Sequence, residues 1–440
     1  MPNLMTLEFI FFFLTIIFGF VSTIVTFPLS NGDEGYHLSK CYNVFSSNHP
    51  ESMNEEILRN FEMQAITRNS DLVTVLDIKS FNSNVLDDVK NDGIKFNLLD
   101  DENSIVKKDI AHLPAAIGVL LARLVYPSYG FMLFFARIFN SIFFSIFMAM
   151  IIKFSKIGKW SLFMLFSIPF MQKIASPSYD VYSYIVFAMF VINLLNLAKL
   201  KSLKELNSYK IYFTILTVIL LLFAKNNYIF AFLGFCFLPM IIIPINNYFK
   251  KLKKIYKIIF ILLTFFIILI MIFIFNNIFD LKQFIKLFFD NYLNMASAGR
   301  RGKELFNIVP AILPDMINIL WILLLFVVMI SEQKHLWNKE TTIGMASIFF
   351  VNWIGIYAGF YMIFNIPTDS FDDLSGRYLH PFLVFFLPCL QNIGAKCEIK
   401  ISKRSIRKIA VISTIFIFVI YLITVYYRGY IISATPTWNT

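Results

Sequence analysis

The sequence predicts an all-α integral membrane protein, and three observations lead to that prediction. Of its 440 residues, 58% are hydrophobic and 15% are charged, whereas a soluble protein carries about 25% charged residues. Runs such as 255–275 and 308–330 reach the roughly 20 apolar residues that a helix needs to cross a bilayer. Basic loops also alternate with poorly charged loops along the chain. We therefore expect about 11 transmembrane helices, with a large first extracellular loop and an interfacial helix.

Five regions follow one another along the chain. They are a first transmembrane span at 1–29, an outer loop domain with a short interfacial or re-entrant helix at 30–128, spans 2–7 at 129–278, an outer interfacial segment at 279–307, and spans 8–11 with an outer C-terminal tail at 308–440. The first apolar run, 7–28, has no basic leader and no small-residue cleavage pattern, so we interpret it as a retained span.

The outer loop domain is the largest polar segment and holds more than half of the acidic residues. Ser52 and Glu55 have the spacing of a capping box, which predicts a helix reaching about Arg68, and the weak alternation over 72–81 predicts a strand. The apolar run 112–126 is too short to span a bilayer, which suits a re-entrant or interfacial helix.

The later spans are predicted from apolar runs between polar loops. They fall at about 129–152, 160–175, 179–198, 211–224, 228–245, 255–278, 308–330, 342–365, 377–393 and 409–427. Between two of them, apolar residues recur at helical spacing over 281–289 with Lys282 and Lys286 interleaved, which predicts a helix in the plane of the membrane surface.

The orientation comes from five basic loops that fall on one side of this arrangement. Their residues are Lys153, Lys156 and Lys159; Lys199, Lys201, Lys204 and Lys210; Lys250, Lys251, Lys253, Lys254 and Lys257; Lys334 and Lys339; and Lys396, Lys400, Lys403, Arg404, Arg407 and Lys408. Because basic loops stay inside, we expect a multi-pass cell-membrane protein with a cytoplasmic N-terminus and an extracellular C-terminus. Most of the basic residues behind the net charge of +11 lie in these loops, where the orientation explains them. We therefore expect membrane lipids and no nucleic acid as partners.

The sequence lacks the motifs of several enzyme classes. It has no P-loop, no G-x-S-x-G and no H-E-x-x-H, which counts against nucleotide hydrolysis, serine hydrolysis and zinc proteolysis. Its four cysteines are scattered, and neither a disulfide framework nor a zinc site is indicated.

Unusual polar residues collect on the predicted outer side. They include the acidic pair Asp33 and Glu34, followed by His37, at the end of span one; Lys173 and Asp180 around the next outer turn; Lys225 in the turn after that; Arg377 and Tyr378 before span ten; and Arg137 inside span two. Carboxylates can serve as general bases or bind metal, and arginine and lysine bind phosphate. This combination suits a phosphate-bearing lipid whose headgroup reacts with a polar acceptor.

Each of these residues also has a plainer interpretation. Asp33 and Glu34 suit a solvated loop start, and Asp180 suits a helix cap. Lys173 and Lys225 suit contacts with lipid headgroups. Arg137 is the exception, because an arginine within a span is costly and points to a pathway, a ligand or an ion pair.

The ordered set of these pieces resembles a bacterial family of membrane proteins known as domain of unknown function 2142. The pieces are Asp33-Glu34-Gly35-Tyr36-His37, His112-Leu113-Pro114, Arg137-Ile138-Phe139-Asn140, Ser176-Pro177-Ser178-Tyr179-Asp180, Lys225-Asn226-Asn227-Tyr228 and Ser375-Gly376-Arg377-Tyr378-Leu379-His380-Pro381. The family would have a proline closer to the acidic pair than Pro28, and a proline where this chain has Asn226 and Asn227.

That family in turn resembles the GT-C glycosyltransferases, which use polyprenyl-phosphate sugars and carry an essential acidic residue in the first outer loop. The resemblance implies an inverting enzyme that passes a sugar to a cell-wall or surface glycan. Asp33 and Glu34 would be catalytic, or would hold a divalent cation if one is used. Arg377, Lys173, Lys225 and Arg137 would bind the donor phosphate, with Asp180, Tyr378 and His37 in support.

Two other functions stay open from the sequence. A flippase or transporter of lipid-linked glycans would need a polar route through the bilayer, and apart from Arg137 the spans hold few charges. A non-catalytic membrane scaffold would use the outer loop to bind a partner.

Overall fold

A computed structural model describes residues 6–26, 34–46, 93–94, 106–127, 129–167, 171–278, 280–292, 313–332, 336–364, 378–399, 401–427 and 431. Its α-helices are α1 (Leu7–Val25), α2 (Glu34–Asn43), α3 (Val106–Val125), α4 (Tyr129–Phe154), α5 (Lys159–Ser167), α6 (Met171–Ile174), α7 (Asp180–Leu197), α8 (Ser208–Leu222), α9 (Pro239–Lys251), α10 (Lys254–Ile278), α11 (Leu281–Tyr292), α12 (Asp315–Ser331), α13 (Lys339–Phe364), α14 (Leu387–Lys396) and α15 (Lys403–Tyr426). Three 3₁₀ helices cover Leu203–Glu205, Asn226–Phe237 and His380–Phe386.

The predicted all-α character is confirmed in the described part of the chain. Its only β pairing there is an isolated bridge between Ser46 and Ile94. The predicted helix starting at Ser52 and the predicted strand at 72–81 lie outside the described residues.

Several helices in the described ranges are long and apolar enough to cross a membrane. Five meet that description: α1, the Gly130–Phe154 part of α4, α7, the Lys339–Gly359 part of α13, and α15. A sixth is added if Asn226–Phe237 and α9, which meet at a bend of 57°, are taken as one span. The multi-pass character is therefore confirmed, and the total of about 11 spans stays a prediction.

Two predicted spans change helix type in the structure, although 255–278 coincides with α10. The segment 228–245 contains a 3₁₀ helix and then α9, and 377–393 contains a 3₁₀ helix and then α14. Both changes occur at a proline, because Pro239 begins α9 and Pro388 lies in the first turn of α14. The predicted span 160–175 contains α5 and α6. Proline has no backbone N–H to donate, so it is tolerated where a helix begins.

The short apolar run after the outer loop belongs to a longer helix than expected. Helix α3 begins at Val106, six residues before the predicted start, and Pro114 lies inside it. The amphipathic helix predicted over 281–289 is α11, whose Phe284 and Leu287 are buried while Lys282 is exposed. Its position at a membrane surface stays a prediction.

Helix α7 forms the centre of the bundle. It is apolar on all sides, and 83% of it is buried, as expected for a helix with neighbours all round. It packs against α3, α4, α8 and the two longer 3₁₀ helices. Its first residue, Asp180, therefore lies at one end of the bundle interior.

A polar network fixes the opposite end of the bundle. The buried carboxylate of Glu332, which follows α12, accepts hydrogen bonds from the backbone N–H groups of Trp160 and Ser161, both at 2.9 Å. These groups open α5, where helix N–H groups lack partners within the helix and carry partial positive charge. The Gln391 side chain of α14 donates to the Glu332 carbonyl at 2.8 Å, so three helices are joined.

Helices α3 and α4 approach each other closely at Gly118. A Cβ atom added there would lie 2.5 Å from the backbone carbonyl oxygen of Phe135. Backbone cannot move aside as a flexible side chain can, so this contact requires glycine. Small residues serve the same purpose in other membrane helix pairs.

We expect Gly118→Ala to destabilise the folded protein by about 1–3 kcal/mol, because the added methyl forces the two helices apart. The matched control is Gly359→Ala in α13, where an added Cβ meets nothing within 4 Å. Denaturant unfolding in detergent measures both. Equal stability of the two variants would contradict this account of the α3–α4 contact.

The membrane orientation can be tested with single cysteines in a cysteine-free background. Asn226 and Lys204 are both exposed, and they lie in loops predicted to be outside and inside respectively. We expect Asn226→Cys to react with a membrane-impermeant maleimide in intact cells, and Lys204→Cys to react only after permeabilisation. The reverse pattern would invert the topology.

Candidate functional site

A buried ion pair joins the start of α2 to the middle of α4. The Arg137 guanidinium donates from Nε to Glu34 Oε1 at 2.8 Å and from Nη2 to Glu34 Oε2 at 2.7 Å. This is the bidentate geometry that makes arginine–carboxylate pairs strong. Glu34 is 2% exposed and Arg137 is 3% exposed, so the pair is shielded from water.

Arg137 also binds the C-terminal end of α1. Its Nη1 donates to the carbonyl oxygens of Thr26 at 3.0 Å and Thr23 at 3.4 Å. Carbonyls at a helix C-terminus lack partners within the helix and carry partial negative charge. The guanidinium thus commits at least four of its five N–H groups inside the protein. Of the alternatives open from the sequence, the geometry favours an ion pair for Arg137.

Two histidines meet beside this ion pair. His37, one turn after Glu34 in α2, has its Nδ1 2.9 Å from Nε2 of His112 in α3. Both are buried, and the ring of Tyr179 lies edge-on to each, with centroid distances of 5.2 and 5.5 Å. Cys41 lies one further turn along α2, and its thiol donates to the Pro177 carbonyl at 3.6 Å.

The loop that leads into α7 is held by α4. Asn140, one turn after Arg137, donates from its side chain to the carbonyls of Ser176 at 2.7 Å and Ser178 at 3.2 Å. The Ser178 hydroxyl accepts a bond from the N–H of Asp180 at 3.2 Å, which satisfies one of the first amides of α7. This supports a helix-capping role for Ser178 and leaves the Asp180 side chain for another partner.

That partner is Lys225. Its ammonium lies 2.5 Å from Asp180 Oδ1, and both side chains are buried. The same ammonium lies over the ring of Tyr378, 4.5 Å from its centroid, an arrangement in which the ring face attracts a cation. The side-chain amides of Asn227 and Asn352 donate to the Tyr378 carbonyl at 3.3 and 3.4 Å. Tyr378 is thus fixed by its ring and by its backbone.

The structure brings together most of the predicted site residues that it describes. Glu34, His37, Arg137, Asp180 and Lys225 all belong to this end of the bundle, and Tyr378 joins them through Lys225. Lys173 is buried in α6, just before the loop that Asn140 holds. Asp33 and Arg377 lie outside the described residues and directly precede Glu34 and Tyr378 in the chain.

Other residues of this end were not predicted as site residues from the sequence. His112 and Asn140 were noted only within motifs, and Cys41 and Asn352 were not singled out. Asn352 is fully buried in the apolar helix α13. A polar amide in such a helix is the feature that could have marked it, since buried amides need hydrogen-bond partners.

Metal binding at the acidic pair stays a prediction. Within the described ranges, no group of three or more His, Cys, Asp and Glu side chains could hold a metal ion. Both oxygens of the Glu34 carboxylate bind Arg137, and Asp33 lies outside those ranges.

Comparison with known families places the chain among multi-pass membrane proteins. A family model described as "Predicted membrane protein (DUF2142)" matches residues 12–297, more than half of the chain. The chain belongs to the DUF2142 family. The match covers the ion pairs and the two histidines, and it ends before the segment containing Arg377 and Tyr378. No curated protein and no solved structure matches the chain.

Removing one member of the buried ion pair should be costly. We expect Glu34→Ala to lower the free energy of unfolding by about 3–5 kcal/mol, because it leaves the Arg137 charge buried without its carboxylate. The double variant Glu34→Leu, Arg137→Met should cost less than the sum of the single changes, since neither charge remains.

Unfolding in detergent of the single and double variants measures this coupling. The control is Glu205→Ala at an exposed site, which should change stability by less than about 0.5 kcal/mol. If Glu34→Ala unfolds like the unmodified protein, the ion pair does not stabilise this end of the bundle.

Proposed function

We propose that this DUF2142 protein is a GT-C type glycosyltransferase. It takes a sugar from a polyprenyl-phosphate donor and transfers it to a cell-wall or surface glycan on the outer face of the membrane. The observation that carries the proposal is the Glu34–Arg137 pair. It fixes the start of α2 to the bundle, and the residue immediately before that helix is Asp33, the expected catalytic acid of the first outer loop.

Asp33 is the general base in this proposal. It takes the proton from the acceptor hydroxyl while that oxygen attacks C1 of the donor sugar. The bond from C1 to the phosphate oxygen breaks, and its electron pair leaves with the polyprenyl phosphate. Attack opposite the leaving group inverts the configuration at C1.

Glu34 is a positioning residue in the same scheme. Its two oxygens are bound to Arg137, so protonating it would break two charge-assisted hydrogen bonds. It therefore supports Asp33 by holding the backbone that carries it. Arg137 acts through the same contact, because its N–H groups are already committed to Glu34 and α1.

The donor phosphate is bound by Arg377, Lys173 and Lys225 in this proposal. What supports it is the placement of Lys225 beside Asp180 and Tyr378. Tyr378 is fixed by two asparagines and adjoins Arg377, whose planar guanidinium matches phosphate oxygens in pairs. Negative charge that develops on the leaving phosphate would meet these cations.

We expect Asp33→Asn to lower sugar transfer by about 10²–10⁴-fold, because an amide cannot accept the proton. Donor binding and folding should remain, since the Glu34–Arg137 pair is untouched. Asp33→Glu should keep a fraction of the activity. The measurement is transfer of radiolabelled sugar from polyprenyl phosphate by the full chain in proteoliposomes.

The matched control is Glu205→Gln, an exposed acidic residue in a loop predicted to be cytoplasmic. It should transfer sugar at the unmodified rate. Full turnover by Asp33→Asn would remove the catalytic role from Asp33. A transporter or a scaffold would then explain the polar residues of the candidate site better.

A further inference from the structure

Helix α11 has two different faces. On one of them Phe284 is buried. The other face, here called the exposed α11 face, consists of Lys282, Ile285, Lys286 and Phe289. Each of these residues lies three or four positions from two of the others, so the four are neighbours on one side of the helix. Ile285 is 46% exposed and Phe289 is 53% exposed. The exposed α11 face therefore combines two ammonium groups with two large apolar side chains.

The buried face of α11 packs against aromatic rings of α13. The Phe284 ring lies 5.2 Å from the ring of Tyr357 and 5.6 Å from that of Tyr361. The Phe288 ring lies 5.4 Å from the ring of Trp353. Tilted and edge-on ring pairs of this kind add to the stability that burial gives. This packing fixes which side of α11 points away from α13.

Helix α13 also carries part of the candidate site. Asn352, immediately before Trp353, donates to the Tyr378 carbonyl at 3.4 Å. Further along the same helix, the Tyr361 hydroxyl donates to the Gln283 side chain of α11 at 3.3 Å. Helix α11 is thus attached to the helix that helps to fix Tyr378.

The length of α10 indicates the depth of α11 in the membrane. Helix α10 has 25 residues, and at 1.5 Å per residue it is about 37 Å long. The hydrocarbon core of a bilayer is about 30 Å thick, so an α10 that crosses it ends among the lipid headgroups. Helix α11 begins three residues later, at Leu281. Its first turns therefore lie close to headgroup depth.

This depth suits both kinds of side chain on the exposed α11 face. In the hydrocarbon core the lysines would be costly, and in water Ile285 and Phe289 would expose large apolar surfaces. Beside the headgroups, a lysine can reach a lipid phosphate with its ammonium group while its alkyl stem stays in apolar surroundings. The apolar side chains can contact the adjoining part of the acyl chains.

The charge of this face favours an anionic partner. Neither Lys282 nor Lys286 forms an ion pair with a described carboxylate. Asp280 lies just before the helix, where its carboxylate accepts the Gln283 N–H at 3.0 Å. The two lysines are one turn apart, with about 5–6 Å between their Cβ atoms. Both ammonium groups can therefore reach the same phosphate.

We propose that the exposed α11 face binds the headgroups of anionic phospholipids. Lys282 and Lys286 contact the lipid phosphate, and Ile285 and Phe289 contact the acyl chains next to it. Because α11 is packed on α13, this contact holds Asn352 close to the depth of the lipid phosphates. The inference goes beyond the proposed glycosyl transfer and does not depend on it.

Photoreactive lipids test this proposal on the unmodified full chain. The chain is reconstituted into vesicles of equal parts phosphatidylcholine and phosphatidylglycerol, with a trace of either lipid carrying a photoreactive acyl chain. Mass spectrometry locates the cross-linked residues. Phosphatidylcholine has a cation beside its phosphate, whereas phosphatidylglycerol has none. An anionic surface strengthens binding by about fivefold per lysine, so phosphatidylglycerol should label α11 about tenfold more than phosphatidylcholine, or better.

Paired variants test the two lysines. Lys282→Gln with Lys286→Gln should lower labelling by phosphatidylglycerol to the level of phosphatidylcholine, because both charges are lost. Lys282→Arg with Lys286→Arg should keep the preference. Both positions are exposed, so the fold should be kept. Helix α8 is the internal control: the two lipids should label its exposed Ile215 and Ile219 equally in every variant.

Three outcomes would overturn the proposal. Equal labelling of α11 by the two lipids in the unmodified chain would mean contact with bulk lipid only. Absence of labelling would mean that water or another partner covers this face. A phosphatidylglycerol preference that persists in the double glutamine variant would remove the role of the lysines. Because no sugar is involved, failure of the proposed transferase activity would not change any of these results.

Discussion

The end of the bundle that holds the candidate site depends on the ion pair between Glu34 and Arg137. An arginine in the middle of an apolar helix is expensive to bury, and here it is matched by a bidentate carboxylate and by the end of α1. Because the guanidinium belongs to α4 and its partners to α2 and the end of α1, one side chain joins these three helices. Asp33 lies between two of these anchor points in the sequence.

A second buried ion pair holds together the other elements of the candidate site. Lys225 and Asp180 link the 3₁₀ helix Asn226–Phe237 to the N-terminus of α7, and the Tyr378 ring joins them. Each charge is buried, so each needs its partner, and neither can move alone. The Tyr179 ring contacts both histidines and also lies below the Lys225 ammonium.

Helix packing decides which residues can meet. Gly118 allows α3 to lie against the backbone of α4, and α2 then packs on both. The type of helix also decides which residues share a face. In the 3₁₀ helix Asn226–Phe237, the buried residues Tyr228, Ala231 and Gly234 recur every third residue. A period of three is that of a 3₁₀ helix, whereas an α-helix would rotate these residues apart.

The sequence by itself determined the class of the protein, the location of most helices and some of the residues at the candidate site. These follow from composition and from apolar runs, which are local properties of the chain. It could not determine that the predicted span 228–245 divides into a 3₁₀ helix and α9, because the apolar run continues across the division. Nor could it decide whether Asp180 only caps a helix, or whether Arg137 marks a pathway, binds a ligand or forms an ion pair.

The tertiary structure decided which polar groups are partners. Glu34 belongs to Arg137, Asp180 to Lys225, and His37 to His112, across 75 residues in the last pair. No local pattern encodes such distant contacts, since they arise only when helices pack and exclude water. Burial then makes each pairing obligatory, because a charge without its partner is costly inside the protein.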